Sequence, residues 1–244
     1  MKRSAFASLC LAAALVAPAL ATTGVVVAGS DRARILLPPG VDVVPYSNQG
    51  YDLRVEDGVA TIDVDLSPLR SQAPFQPVLR AEPTAVERVA GAVTWGSRSR
   101  LEAANRLLAW VAGNVRYRLD RSASQEARDV LERRSAYCTG YARLGVALLE
   151  AVGIEAREVA GYVAGERPGT GGAGFHRWIE IRYPDRGWVF SDPMASLGFV
   201  DATYLRIASD RLSIPAPGDG LVIERDDRTV AIDIAPETQA VALR

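Results

Sequence analysis

The chain has 244 residues, 48% of them hydrophobic and 23% charged, which is the composition of an ordinary globular protein. Its formal net charge of −1 argues against a nucleic-acid-binding face. This length suits one domain with extensions or two small domains, and it can bury a sizeable core.

The first 21 residues predict an export signal. Lys2 and Arg3 form a positive start, Ala5 to Leu20 is apolar, and Ala19-Leu20-Ala21 matches the small-x-small pattern after which signal peptidase cuts. An uncleaved membrane anchor is the alternative, although the apolar run is short for a spanning helix and Pro18 interrupts its end. We therefore expect an exported protein, periplasmic or secreted, with no stable membrane insertion once the signal is removed.

Between Val25 and Leu66 the pattern predicts β-strands. The firmest signal is a hairpin, in which Tyr51 to Glu56 and Val59 to Leu66 alternate in hydrophobicity around Asp57-Gly58. Asp-Gly is a preferred pair for a two-residue turn between such arms. The segment from Ser67 to Pro83 contains four prolines, which predicts an extended connector.

The middle of the chain alternates between helical and strand patterns. Apolar spacing and capping residues predict helices at Ala85 to Val93 with Thr84 as cap, at Ser99 to Val115, at Gln125 to Arg133, and from Cys138 to just before Gly153. A strand at Glu155 to Val163, a mobile glycine-rich loop at Glu166 to Gly174 and a hairpin of His176 to Tyr183 with Trp188 to Ser191 follow.

These elements predict an α+β fold with β-rich flanks at both ends. We expect a signal peptide at 1–21, a β-rich N-terminal region at 22–80, a core at 81–205 and a C-terminal β-hairpin region at 206–244. The two flanks form either one packed sheet made from both ends of the chain or a separate small domain.

The chain contains a single histidine, His176. A two-histidine iron site, a three-histidine zinc site and an HExxH protease site are therefore excluded within this chain. We expect no metal and no cofactor, and any mechanism that uses histidine must use this residue.

Cys138 lies at the predicted start of a helix. The unpaired N–H groups and the positive end of the helix dipole favour a thiolate there, and the thiolate is the nucleophilic form. Cys10 would leave with the signal, so Cys138 would be the only thiol of the exported protein. A lone thiol in an oxidising compartment needs a reason, and catalysis or an intermolecular bridge would supply one. The alternative is a small buried core cysteine.

A base and an orienting group are predicted close to this thiol. His176 begins one strand of the predicted hairpin and Asp192 ends the other, so the two side chains can meet across the sheet. Asp192 would then hold the imidazole tautomer whose other nitrogen faces Cys138.

Four motifs in this order resemble the core of the transglutaminase-like superfamily, over roughly Leu101 to Met194. They are Tyr137-Cys138-Thr-Gly-Tyr-Ala, Gly153-Ile-Glu-Ala-Arg157-Glu-Val-Ala-Gly161-Tyr, His176-Arg-Trp178-Ile-Glu180 and Gly187-Trp188-Val-Phe-Ser-Asp192-Pro193. The resemblance implies a papain-like α+β core, in which a helix bearing the cysteine packs on an antiparallel sheet bearing the histidine and the aspartate. It also implies a catalytic triad of Cys138, His176 and Asp192. Ala136-Tyr137 departs from the family, because many members have a glycine just before the cysteine.

The resemblance also implies a second oxyanion-hole donor from an upstream side chain, beside the backbone N–H of Cys138. Trp95, Trp110 and Tyr117 cannot be ranked for this role from the sequence. We expect Trp178 and Trp188 to form walls that shield the triad. Arg143 and Arg157 are predicted to be solvated or structural.

The predicted function is that of an exported cysteine enzyme acting on amide or peptide bonds through a thioester. Hydrolysis, as in a protease or amidase, is favoured by analogy within the superfamily. Acyl transfer from protein glutamine to an amine is the second enzymatic hypothesis. A non-catalytic binding or scaffold module that kept the fold is the alternative from another class. The expected partner is a peptide or protein substrate, with the cell envelope as one source, and not a nucleic acid.

Overall fold

The computed structural model describes residues 23–37, 43–78, 80–163, 174–207, 222–225 and 229–236. The helices in this part of the chain are α1 (Ala85–Thr94), α2 (Arg100–Asn114), α3 (Ala127–Arg133) and α4 (Cys138–Ala151). The strands are β1 (Thr23–Leu36), β2 (Tyr46–Asn48), β3 (Tyr51–Glu56), β4 (Val59–Asp65), β5 (Arg116–Tyr117), β6 (Ser135–Ala136), β7 (Ala156–Val163), β8 (Gly174–Tyr183), β9 (Gly187–Ser191), β10 (Tyr204–Arg206), β11 (Val222–Arg225) and β12 (Thr229–Pro236). The predicted signal segment at 1–21 and nearly all of the predicted glycine-rich loop lie outside the described residues.

The four predicted helices are present, and two begin as their capping residues predict. Thr84 and Glu87 form a reciprocal capping box at the start of α1, which satisfies two backbone N–H groups that the helix itself cannot bond. Ser99 accepts a hydrogen bond from the backbone N–H of Glu102 at the start of α2. Gly153, at φ 79°, follows the end of α4 in the left-handed conformation that glycine adopts readily.

A four-stranded antiparallel sheet in the order β10-β7-β8-β9 forms the centre of the molecule. Its middle strand β8 is covered on both faces, because alternate residues point to opposite sides. Ile179 and Ile181 belong to the apolar cluster shared with the helices, including α4. Trp178, the residue before Ile179, belongs to a second cluster on the other face.

The second face of this sheet is covered by strands from the two ends of the chain. β11, β1, β4, β3 and β2 form one sheet in this order, and β12 also pairs with β1. The hairpin of β3 and β4 with its Asp57-Gly58 turn is confirmed. Ile35, Leu53 and Ile62 of this sheet pack in one cluster with Trp178 and Phe190 of the central sheet. Of the two arrangements open for the flanks, the structure shows one sheet built from both ends.

A buried carboxylate joins the two sheets. Glu180 on β8 is fully buried and accepts hydrogen bonds from the Tyr46 hydroxyl and from Asn48 Nδ2, the latter at 2.6 Å, both on β2. Its other oxygen lies 2.6 Å from an Arg157 guanidinium nitrogen, and Arg157 also lies over the Trp188 ring at 4.0 Å. A buried charge is tolerated only when it is paired and hydrogen-bonded, and this one is both.

The α+β architecture expected from the sequence is therefore confirmed, with a cysteine-bearing helix packed on an antiparallel sheet that carries the histidine. None of the helices in the described part of the chain is long and apolar enough to span a membrane.

Candidate active site

Cys138 is the first residue of α4 and is partly buried. The residue before it, Tyr137, has an extended backbone with φ −103° and ψ −176°, a conformation that any residue adopts. The tyrosine at this position therefore imposes no backbone strain. The small residue that is needed here is Gly140 in the first turn of α4, because a Cβ there would lie 2.6 Å from both Ala136 Cβ and Gln125 Oε1.

His176 lies on β8 directly opposite Gly161 of β7. A Cβ on Gly161 would overlap the Leu205 carbonyl oxygen and the Trp178 ring, so a glycine is needed where these groups meet. Trp178 is fully buried, and its ring is nearly parallel to the imidazole, with centroids 6.2 Å apart. The predicted role of Trp178 as a wall beside the histidine agrees with this contact.

Asp192 follows the end of β9 and is fully buried. Its Oδ2 lies 2.8 Å from His176 Nε2, although the two residues are not directly opposite in the register. The backbone N–H of Met194 donates to Oδ1 at 2.8 Å, and the Tyr204 hydroxyl donates to Oδ2 at 2.7 Å. These contacts hold the carboxylate with one oxygen directed at the imidazole.

The His176 imidazole also lies within interaction range of the Cys138 thiol, because it lowers the pKa of that thiol. Because Nε2 faces Asp192, the nitrogen on the opposite side of the ring is Nδ1, which is left for the thiol. The structure thus brings together the three side chains that the sequence predicts to be catalytic, with His176 in the middle.

Two opposing effects set the pKa of Cys138. Burial raises it, whereas the hydrogen bond and the charge of His176 and the backbone N–H groups of Arg177 and Thr139 lower it. The second group of effects is larger, so the pKa of the thiol lies below its ordinary value.

The pKa of His176 moves in the opposite direction. Burial lowers it, but the charge and the hydrogen bond of Asp192, followed by those of Cys138, raise it to about 9. A thiol with a lowered pKa beside an imidazole with a raised pKa favours a thiolate–imidazolium pair near neutral pH. Such a pair can attack a carbonyl carbon and then protonate a leaving amine.

The three aromatic candidates for an upstream donor are now distinguishable. Trp95 is 81% exposed at the end of α1, and Trp110 lies under the Arg134 guanidinium at 4.6 Å. Tyr117 on β5 pairs with Ala136 of β6, two residues before Cys138. Burial and then the charge of Cys138 raise the pKa of Tyr117, so its hydroxyl lies within electrostatic range of the sulfur.

The predicted role of Trp188 as a wall of the triad is wrong. Trp188 pairs with Arg182, six residues along β8 from His176, which corresponds to about 20 Å of extended strand. Its ring instead contacts Arg157. The prediction placed both tryptophans by their motifs, whereas strand register decides which end of the hairpin each occupies.

The two arginines that we expected to be structural form ion pairs within the fold. Arg157 pairs with the buried Glu180, and Arg143 pairs with Glu126 and Glu158. Tyr204, in contrast, was missed by the sequence reasoning. It stands in a short strand without a periodic pattern, and only the fold brings its hydroxyl to Asp192.

Metal ligands are not assembled in this region. In the ranges that the structure describes, no group of three His, Cys, Asp or Glu side chains is arranged to hold a metal ion.

Comparison with known proteins points to one superfamily. Residues 87–193 match the model of the transglutaminase-like superfamily core. Among curated proteins, the chain is 32% identical over 74 residues to the uncharacterized protein YebA of Bacillus subtilis. It is 37% identical over 70 residues to a protein-glutamine gamma-glutamyltransferase of Pseudomonas aeruginosa. Each match covers 26% of this chain and 10% of the relative, so the chain spans only a small part of these proteins.

A solved structure supports the fold over most of the chain. A proposed cysteine protease from Cytophaga hutchinsonii superimposes with a TM-score of 0.53 and 16% identity, covering 90% of this chain and 94% of the other. At this identity the likeness shows the fold and not the activity. The segment that matches the transglutaminase-like superfamily model, residues 87–193, contains Cys138, His176 and Asp192.

Proposed function

We propose that this chain is a cysteine enzyme that acts on amide or peptide bonds through a thioester. Cys138 is the nucleophile, His176 moves the proton, and Asp192 orients the imidazole. The observation that carries the proposal is the position of His176, whose Nε2 lies 2.8 Å from the Asp192 carboxylate and whose imidazole is within interaction range of the Cys138 thiol. A binding module would gain nothing from this arrangement, since burying a histidine and a carboxylate together costs free energy.

The proposed reaction has two steps. Cys138 Sγ bonds to the carbonyl carbon, and the C–N bond breaks while His176 gives its proton to the leaving amine. The acceptor then gives a proton to His176 as it attacks the thioester, and the C–S bond breaks, which regenerates the Cys138 thiolate beside the protonated His176. The backbone N–H of Cys138 and the Tyr117 hydroxyl are the proposed donors to the oxyanion formed in each step.

The acceptor decides between hydrolysis and acyl transfer. We propose water, so that the enzyme is a protease or amidase, by analogy with the cysteine-protease description of the structural neighbour. The likeness to a protein-glutamine gamma-glutamyltransferase makes an amine acceptor the second candidate.

The activated thiol is tested without knowledge of the substrate. Alkylation of Cys138 by iodoacetamide is followed across pH, with mass spectrometry of the Cys138 peptide so that Cys10 does not contribute. We expect alkylation to persist well below pH 8.5, and the midpoint of the His176→Ala variant to rise to the ordinary thiol value of about 8.5 or above it, because burial still raises the pKa of Cys138. An ordinary profile in the unaltered protein would contradict the proposal.

Turnover is tested with a peptide library, in the presence and absence of a fluorescent primary amine. Cleaved peptides indicate hydrolysis, whereas incorporation of the amine at glutamine indicates transfer. We expect cleavage, and its loss in both Cys138→Ala and His176→Ala. Arg182→Met is the matched control, because it removes only an exposed ion pair with Glu155. This variant should cleave peptides like the unaltered protein. Turnover that survives loss of Cys138 would refute the mechanism.

We further propose that the protein is exported and processed after Ala21. The sequence pattern of the first 21 residues supports this proposal. Fractionation of expressing bacterial cells and N-terminal sequencing should find a chain beginning at Thr22 outside the cytoplasm. A full-length chain retained in the cytoplasm would contradict it.

A further inference from the structure

Tyr204 contacts the proposed catalytic triad at Asp192 Oδ2, the carboxylate oxygen that faces His176. Its hydroxyl donates to Asp192 Oδ2 at 2.7 Å, and the same oxygen lies 2.8 Å from His176 Nε2. The backbone N–H of Met194 occupies the other oxygen. The carboxylate therefore receives donors from three directions, and the hydroxyl and the imidazole share one of its oxygens.

The environment makes this hydroxyl important for the orientation of Asp192. Asp192 is fully buried, so water cannot hydrogen-bond its carboxylate in place of a lost protein donor. Hydrogen bonds to a charged group are shorter and stronger than those between neutral groups, and two of them at fixed angles resist rotation of the carboxylate. Loss of the Tyr204 donor would therefore weaken the constraint on the orientation of the Asp192 carboxylate.

Tyr204 itself is held by both sheets. β10 pairs with β7 at Gly161, the residue opposite His176. The Tyr204 backbone oxygen accepts a buried hydrogen bond of 2.7 Å from the Tyr51 hydroxyl, which belongs to the flanking sheet. The Tyr204 ring packs edge-on against Trp178, at 5.2 Å between centroids and an angle of 88°. The direction of the hydroxyl is thus determined by packing on several sides.

We propose that Tyr204 is a positioning residue, whose hydroxyl holds the Asp192 carboxylate in the orientation that keeps His176 directed at Cys138. This inference rests on the proposed function for its catalytic meaning, but its structural content concerns the histidine and is measurable without a substrate. It also assigns a task to the β-rich flank, which supplies Tyr51 as the support of Tyr204.

The test uses the fact that His176 is the only histidine of the chain. In ¹⁵N-labelled protein the imidazole signals belong to one residue, so its titration is read directly. Asp192 raises the pKa of His176. In Tyr204→Phe we expect the histidine midpoint to fall from about 9 by about half a unit or more, because a carboxylate that turns away no longer supports the imidazolium. The pH below which Cys138 alkylation declines should rise in parallel.

Once a cleaved peptide is known, kcat of Tyr204→Phe should fall by about ten- to a hundredfold with little change in KM, the factor that corresponds to one hydrogen bond to a charged group. Tyr183→Phe is the matched control, since Tyr183 is equally buried at the far end of β8. Its histidine titration and its kcat should equal those of the parent.

Two results overturn the inference. The first is a folded Tyr204→Phe protein in which the pKa of His176 equals that in Tyr183→Phe. The second is a Tyr204→Phe protein in which the pKa of His176 rises, because the hydroxyl would then act only by withdrawing charge from Asp192. If Tyr204→Phe does not fold, the unaltered protein with ¹³Cζ-labelled tyrosine decides, because the Tyr204 signal should move as His176 titrates and the Tyr183 signal should not. A protein that passes these titrations and lacks turnover would refute the proposed function and leave the role of Tyr204 in place.

Discussion

The ion pair between Arg157 and Glu180 offers the sharpest test of how the two sheets are held together. We predict that Arg157→Met destabilises the protein strongly, although the Arg157 side chain is itself 47% exposed. The loss arises at Glu180, because its side chain is 0% exposed and cannot be solvated by water when the guanidinium is removed. Methionine keeps the length and the apolar contact of the arginine stem.

The magnitude follows from the contacts that remain. Removing one partner of a buried ion pair costs about 3–5 kcal/mol, since an uncompensated charge stays in the interior. Tyr46 and Asn48 still donate to Glu180, which places the expected loss near the lower end of that range. Loss of the guanidinium from the Trp188 face adds about 0.5–1 kcal/mol. We therefore expect the free energy of unfolding to fall by about 3–4 kcal/mol.

Urea unfolding followed by tryptophan fluorescence measures this free energy. Arg182→Met is the matched control, because the Arg182–Glu155 pair has side chains that are 55% and 57% exposed. An exposed pair of this kind contributes about 0–1 kcal/mol. The double variant Arg157→Met with Glu180→Gln should recover part of the loss, since it removes the unpaired charge.

The reasoning is refuted if Arg157→Met and Arg182→Met unfold at the same urea concentration. It is also refuted if the double variant is less stable than the sum of the single variants predicts, because the coupling between the two residues would then have the wrong sign.

Three further predictions concern the pH profile, the strand opposite the histidine and a helix cap. The kcat/KM of peptide cleavage should be bell-shaped in pH. It should rise as Cys138 ionises below its ordinary pKa and fall as His176 loses its proton, with a pKa of about 9. A kcat/KM that still increases above pH 9 would contradict the ion pair. Gly161→Ala should lower the free energy of unfolding by about 1–3 kcal/mol, because the new methyl group overlaps the Trp178 ring beside His176. Cys138 alkylation at neutral pH should fall as well. An unchanged free energy of unfolding would contradict this prediction, since β7 would then accommodate the methyl group without strain. Thr84→Ala should cost about 1 kcal/mol in urea unfolding with alkylation unchanged, since it removes only the capping box of α1.

Local patterns predicted most of the elements because the interactions that form them are local. The hairpin around Asp57-Gly58 and the starts of α1 and α2 at Thr84 and Ser99 depend on residues within a few positions of each other. The same holds for the end of α4 before Gly153. Each of these signals is a backbone conformation or a capping hydrogen bond that a short stretch of sequence specifies.

Predictions that needed register or long-range pairing were less complete. Trp188 was predicted from its motif to shield the triad, but its place opposite Arg182 puts it at the far end of the hairpin. The sequence left open whether the flanks share a sheet, and the pairing of β1 with both β11 and β12 decides it. Strand pairing between distant segments carries no local signature, because it is stabilised by the side chains of both partners together.

By itself, the sequence determined which chemistry is available to this protein. One histidine, and one cysteine outside the first 21 residues, leave a single combination for nucleophilic catalysis, and the motifs around them predict Asp192 as the third member. Only the tertiary structure decided how that combination is supported. The Tyr204 hydroxyl reaches Asp192 across 12 positions of sequence. The Tyr51 contact behind it and the burial of Glu180 between two sheets join residues more than a hundred positions apart. Such contacts arise from the packing of whole layers, which is why they cannot be read from any one stretch of the chain.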